Sequence, residues 1–351
     1  MTGKEIFLGA LNFEETPRLP VAILDGYTWI VKRDQISHKD LLNAADFGAS
    51  HVIKAFDEFA VDNVCANAHI SNFFLKYMGG EIQYDKVGEA FEISKPPLKT
   101  LDEIKNFSVD ELINQALADD EFVAGLKLIP LLKKHYPPPP PYPRDERVIV
   151  GVSWGPFTVA GMMVGVQNFL TQAYDDEDSA VAIIEFSTQL IARFAQLLVE
   201  YGADVIMVGD PVSSGDMISP GMFEEYALPS VTGMVAALNK LNVKYLLHIC
   251  GNTRARIKPL LDSGIAAFSV DTLNLEEALP LTRGNYAICG DMNPYDVLQI
   301  KTADEVFEHC LGRAKVAGRS GGFLLMPGCD LAPNIPLANI QAMVNAAHSF
   351  V

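Results

Sequence analysis

The chain has 351 residues, 49% of them hydrophobic, with a mean hydropathy of +0.15, which is enough apolar material for a large core. A net charge of −17 and a pI of about 4.8 exclude general electrostatic attraction to nucleic acid or anionic lipid. Five cysteines, odd in number and sparse, and the acid-bearing start MTGKEIFLGALNFEE argue against a disulfide framework and a secretory leader, and for a reducing, cytoplasmic setting.

In chain order, the first apolar run is 18–24 (RLPVAIL), followed by GYTWI, and the second is 62–68 (DNVCANA). A long, less regular region at about 71–146 reads as an insertion or cap. It ends in Pro137 to Pro141, then Tyr142 and Pro143, a composition that favours a stiff polyproline II connector over a recognition motif. The third run, 148–154 (VIVGVSW), opens an uncharged stretch reaching Tyr174. Its Gly155, Pro156 and Asn168 make it strand, turn and buried helix rather than a membrane span. A helix over 177–201, ended by Gly202, leads to a strand at 203–210 (ADVIMVGD). Ser219 and Pro220 open a helix running past Pro229 to 241, before the run 243–250 (VKYLLHIC). A helix at 254–263 ends at Gly264, and runs follow at 266–271 (AAFSVD) and 285–291 (NYAICGD). A helix over 302–316, opened by the capping pattern TADE, precedes the last run, 322–328 (GFLLMPG). Eight near-continuous apolar runs alternating with helices predict a (β/α)₈ TIM barrel, one domain over 1–351 with an N-terminal helical or loop elaboration. A doubly wound sheet would not gather so many strand ends around one point.

In such barrels the chemistry sits at the C-terminal ends of the strands, and here those ends are polar. His248 and Cys250 stand two apart on one run, so both side chains point the same way. Cys329 ends the last run. A His–Cys–Cys set on one rim is what a zinc ion with an open coordination position requires. A buried cysteine is more often a small hydrophobe, and that reading is preferred for Cys289, Cys65 and Cys310. Asp271 at the neighbouring strand end is a candidate fourth ligand or a helix cap for DTLNLEEAL. Asp210 and Asp291 are candidates for catalysis, for orienting a ligand of the metal, or for capping turns. His69, just past the second run, faces the pocket or is a satisfied loop histidine. Tyr27, Trp29, Trp154 and Phe157 are candidate substrate contacts, with ordinary packing the alternative for each. GYTWI is the segment expected to touch substrate.

The segments HICGN, GADVIMVGDPVSS with DMISP, WGPFT, and MPGCDLAP with PLANI together resemble the uroporphyrinogen decarboxylase-like superfamily. They look most like its zinc methyltransferase branch, the methylcobamide:coenzyme M methyltransferases and corrinoid-dependent O-demethylases. The resemblance covers most of the chain and is strongest from residue 148 onward. It implies a (β/α)₈ barrel, Zn²⁺ held by His248, Cys250 and Cys329, and a methyl group moved between a corrinoid (cobalamin) and a small molecule. That molecule is a thiol such as coenzyme M or a methoxylated aromatic. The site is also similar to that of cobalamin-independent methionine synthase, with Asp271 placed comparably to its carboxylate. The sequence contains no D-x-H-x-x-G, so the corrinoid is expected on a partner protein. The arginine-rich motif of the decarboxylases would follow the first run, where this chain has AILDGYTWI. A decarboxylase-like lyase without metal is the alternative, and a closed structural zinc site a third. No nucleic acid or membrane is expected as partner, and homo-oligomerisation is open.

Overall fold

Burial on both faces makes strands of seven of the eight apolar runs. The computed structural model describes residues 1–66, 69–136 and 146–351. The proline run and the last two residues of the second apolar run lie outside the described residues. The strands are β1 (Asn63–Ala66), a peripheral antiparallel pair β2 (Glu81–Gln83) and β3 (Glu92–Lys95), then β4 (Val148–Trp154), β5 (Val205–Gly209), β6 (Lys244–Ile249), β7 (Ala267–Val270), β8 (Ala287–Met292) and β9 (Phe323–Pro327). The main sheet is parallel throughout, in the order β1-β4-β5-β6-β7-β8-β9.

The run at 18–24 is the exception and corrects the expectation of eight regular strands. It closes the barrel between β9 and β1, but only one bridge, Val21 to Leu325, has strand pairing. Leu325 donates to Pro20 O (3.0 Å), and Ala22 donates to Leu325 O (3.0 Å). On the β1 side, one backbone bond, Asp62 N–H to Val21 O (2.8 Å), is supplemented by side chains. Asp62 Oδ2 accepts from Val21 N–H (2.9 Å), and the Asn63 amide accepts from Ile23 N–H (2.9 Å) and donates to Ile23 O (2.8 Å). Pro17 and Pro20 supply no N–H, so a full ladder was closed to this segment. The result is a (β/α)₈ barrel with one irregular stave.

The helix Gly3–Leu11 starts at a Thr2/Glu5 capping box and lies under the barrel. Gly322 donates to Ala10 O and Lys4 to Glu146 O, both at 2.8 Å. Those partners precede β9 and β4, so the helix covers the N-terminal mouth and leaves the C-terminal rim open. Helix Glu177–Glu200 packs on β4 and β5. By length and composition it could cross a membrane, but half of its most apolar window is buried in this packing. The expected helix over 219–241 is broken into Pro220–Met222, a π-helical turn Phe223–Ala227, and Leu228–Asn239. Pro229 has no N–H for the carbonyl four residues back, and the chain widens before it. The helix expected at 254–263 is only a 3₁₀ turn, Arg254–Arg256, because Pro259 interrupts it. The region expected to be a cap holds the hairpin and the helices Val109–Leu117 and Asp120–His135. The last of these packs on β1 and β4, as a barrel-wall helix does.

Candidate metal centre

The register of the sheet brings the predicted soft ligands together. β6 carries His248, and Cys250 follows one residue past the strand end. Cys329 must come from β9, three strands away in the sheet order. Gly328 makes this reach feasible: a Cβ there would sit 2.5 Å from Asp271 Cα, so only glycine lets the chain cross the end of β7 so closely. Gly251, at φ +68°, turns the chain immediately after Cys250. Asp216 secures this turn from the loop after β5, its Oδ2 accepting from Asn252 N–H (2.8 Å).

His248 Nε2 lies 2.9 Å from Cys250 Sγ, and Cys250 Sγ lies 3.3 Å from Cys329 Sγ. All three donor atoms are within 4.8 Å of one another. Zinc bonded to sulfur and imidazole nitrogen sets donor–donor edges of about 3.5–3.7 Å in a tetrahedron, so this set needs only a slight opening to fit the ion. The opposite ring nitrogen, His248 Nδ1, is 3.0 Å from Ser269 Oγ, directly across the β6–β7 register. That contact fixes the ring with Nε2 aimed at the sulfurs. Without a cation, the hydrogen bond between the sulfurs holds the Cys250 thiol below its ordinary pKa and pushes Cys329 above it. Two sulfurs this close need a positive centre to be thiolates together.

A cavity of about 160 Å³ opens beside the three ligands. Leu24, Val152, Trp154 and Met207 supply apolar lining, and Asp25, His69 and Asp330 form a polar corner. Asp330 Oδ1 accepts from Gly26 N–H and Leu331 N–H, both at 2.7 Å. Asp25 Oδ1 accepts from Tyr27 N–H (3.2 Å), while its Oδ2 is 3.4 Å from His69 Nε2. Burial pushes the Asp25 carboxyl up to about 7. Burial, reinforced by the charge of Asp25, does the same to Asp330. Burial lowers the pKa of His69, which favours a neutral ring. His69 is held at φ +68°, a conformation uncommon for a non-glycine residue, with its ring edge-on to His38 at 5.2 Å and 6.0 Å from Trp154.

The other predicted site residues divide sharply. Trp154 and His69 line the cavity. Tyr27, Trp29 and Phe157 do not, which corrects the expectation for GYTWI. Tyr27 opens the helix Tyr27–Asp34 and donates to Cys65 O, and Trp29 packs on Phe59 and donates to Ile335 O (2.9 Å). Phe157 packs on Phe169 in the core. Asp210 is fully buried and accepts from both the N–H (2.6 Å) and hydroxyl (2.5 Å) of Thr158, tying β5 to the start of helix Pro156–Val164. Asp291 faces Arg313 at 3.6 Å on the outer helix, away from the cavity lining. Asp271 accepts from Asn293 (3.3 Å) and from Gly251 N–H, and stays outside the ligand trio. Cys65, Cys289 and Cys310 are buried, as expected of packing residues. Ser269 and Asp25 are site residues that the sequence reading missed.

Comparison with known proteins places this geometry in context. The family described as Uroporphyrinogen decarboxylase (URO-D) matches residues 2–350. The methylcobamide:CoM methyltransferase MtbA of Methanosarcina mazei is 28% identical over 366 residues, spanning 99% of this chain and 98% of its own. The methylcobamide:CoM methyltransferase MtaA of Methanosarcina barkeri is 30% identical over 204 residues, 58% of each chain. A solved methyltransferase from Methanosarcina mazei superposes with a TM-score of 0.87 at 22% identity, covering 100% of this chain and 99% of that one, and shares its fold.

Proposed function

The chain belongs to the uroporphyrinogen decarboxylase family, and from that premise we propose that it is a methyltransferase, moving a methyl group between a corrinoid carried by a partner protein and a small substrate. The observation that carries this reading is the meeting of His248, Cys250 and Cys329 beside an apolar cavity. The full-length similarity to a methylcobamide:CoM methyltransferase supports it.

His248, Cys250 and Cys329 would hold Zn²⁺. Bound there, zinc would supply Lewis acidity, lowering the pKa of a substrate thiol or polarising the oxygen of a methyl ether. Ser269 keeps the His248 ring oriented. Leu24, Val152, Trp154 and Met207 exclude water from the bound substrate. Asp25, His69 and Asp330 hold its polar end. Asp271 and Asn293 brace the rim beside the ligands, whereas Asp210 acts through the fold, as a positioning residue. The corrinoid partner would present its cofactor at the open C-terminal rim, since the opposite mouth is covered by helix Gly3–Leu11. We read residues 1–351 as a single barrel domain working in a reducing cytoplasm. A decarboxylase-like lyase without metal, on a different substrate from the decarboxylases' polycarboxylate, is the weaker reading; for the polycarboxylate itself, neither arginine nor lysine lines the cavity among the described residues.

Metal analysis and an anaerobic transfer assay test the proposal. The purified chain should carry about one zinc and should demethylate free methylcobalamin in the presence of an accepting thiol, or methylate cob(I)alamin from a methoxyarene. Cys329→Ala should lose the metal and the transfer while keeping its far-ultraviolet circular dichroism. Full turnover by a zinc-free Cys329→Ala chain would refute it.

A further inference from the structure

The charge pattern of the cavity narrows the substrate. Among the described residues thirteen line it, and two of these, Asp25 and Asp330, are carboxylic acids; none is arginine or lysine. His69, the remaining ionisable side chain outside the metal trio and its sulfurs, sits against Asp25 at 3.4 Å. Its Nε2 is buried and makes no hydrogen bond among the described residues. The backbone N–H groups of Gly26 and Leu331 are both taken by Asp330 Oδ1, and that of Tyr27 by Asp25, so they are not available to an anion. What this corner presents to a ligand is carboxyl oxygen and an imidazole. An anionic group placed there would lose its hydration beside two buried carboxyls, with no cationic side chain and no free backbone donor among the described residues to offset the cost. The cavity, about 160 Å³ below the open rim, accommodates one benzene-sized ring or a chain of a few heavy atoms.

We propose that the Asp25–His69–Asp330 corner receives the polar end of a small, non-anionic substrate that donates a hydrogen bond through a hydroxyl or amine, and that it rejects substrates ending in a sulfonate or carboxylate. The inference rests on the methyltransferase reading for the role of the site, but the selectivity is a property of this chain's own side chains. It separates the chain from a coenzyme M acceptor, because coenzyme M ends in a sulfonate.

Two thiols of equal length make the test. Calorimetric titration of the metal-loaded full chain would compare 2-mercaptoethanol, which ends in a hydroxyl, with 2-mercaptoethanesulfonate. 2-Methoxyphenol serves as the ring-sized probe. The hydroxyl thiol should bind at least about tenfold more tightly than the sulfonate. Asp25→Asn should shrink that ratio several-fold with the fold retained, and His69→Gln supplies a second variant should the first fail to fold. Equal or tighter binding of the sulfonate overturns the proposal, as does binding of none of the three probes. A ratio unchanged in both variants does the same. Methyl transfer from methylcobalamin is read separately. Transfer to the sulfonate as fast as to the alcohol defeats the selectivity but leaves the methyltransferase assignment standing. Selective binding with no transfer defeats the assignment and leaves the selectivity standing.

Discussion

The two sides of the barrel rim are built differently. On the β6–β9 side His248 rides on a regular parallel strand, Cys250 and Cys329 follow within two residues of strand ends, and the register sets His248 against Ser269. On the closing side, two members of the polar corner hang from irregular backbone, Asp25 just past a stave with a single bridge and His69 in a left-handed conformation, while Asp330 reaches them from beyond β9. There, side chains of Asp62 and Asn63 make three of the hydrogen bonds that hold the stave, beside a single backbone bond from Asp62 to Val21. The contrast teaches where precision comes from: ladder geometry positions the metal site, and individual buried side chains position the substrate corner.

If that is right, damage to the two sides should separate. The largest effect on stability is expected at Asp62, which is buried and bonded to both Arg18 and Val21 N–H. Asp62→Ala should cost about 3 kcal/mol, because it leaves the arginine and a buried N–H without their partner. Thermal unfolding would measure this, and zinc content below the transition should be unchanged. On the other side, Ser269→Ala should leave the melting temperature within a few degrees of wild type and weaken zinc binding roughly tenfold, read by competition with a chromophoric chelator. Unchanged zinc affinity there would mean that the β7 contact does not orient His248.

Per pH unit, the smallest effect is a pH dependence. The Asp25 carboxyl, raised by burial to about 7 from 3.8, keeps its proton in the folded state over a range where the unfolded chain has lost it. The native state therefore binds more protons, and stability falls as pH rises through that window. Wild type should lose on the order of 1 kcal/mol per pH unit more than Asp25→Asn between pH 4 and 7, in chemical denaturation series. Parallel curves for the two proteins would show that Asp25 is not desolvated as the structure places it.

The same contrast governs what the sequence revealed. His248, Cys250 and Cys329 were legible because strand alternation and strand ends are local patterns, and regular strands obey them. Ser269 carried a readable signal, a lone hydroxyl in AAFSVD on the run beside the H-x-C pair, but its role depends on a register that one sequence does not display. Asp25 carries no local signal, because 18–24 reads as an ordinary strand and GYTWI looks like a pocket lining. Pro17 and Pro20 pointed to an irregular stave. Tyr27 and Trp29 turn inward because the chain enters a helix at Tyr27, which sends their rings to the core. Asp210 and Asp291 stand at strand ends as expected, but one caps a helix and the other pairs with an outer arginine. Position along a strand was readable, whereas the direction in which an acidic side chain satisfies itself was not.

X-ray absorption at the zinc edge of the purified chain, before and after addition of an accepting thiol, reads the proposed open coordination position itself. Two sulfurs and one imidazole nitrogen with one lighter, exchangeable neighbour are expected, that neighbour giving way to a third sulfur when the thiol binds. A chain without zinc, or a zinc whose four protein neighbours are unaltered by the thiol, would contradict the proposal.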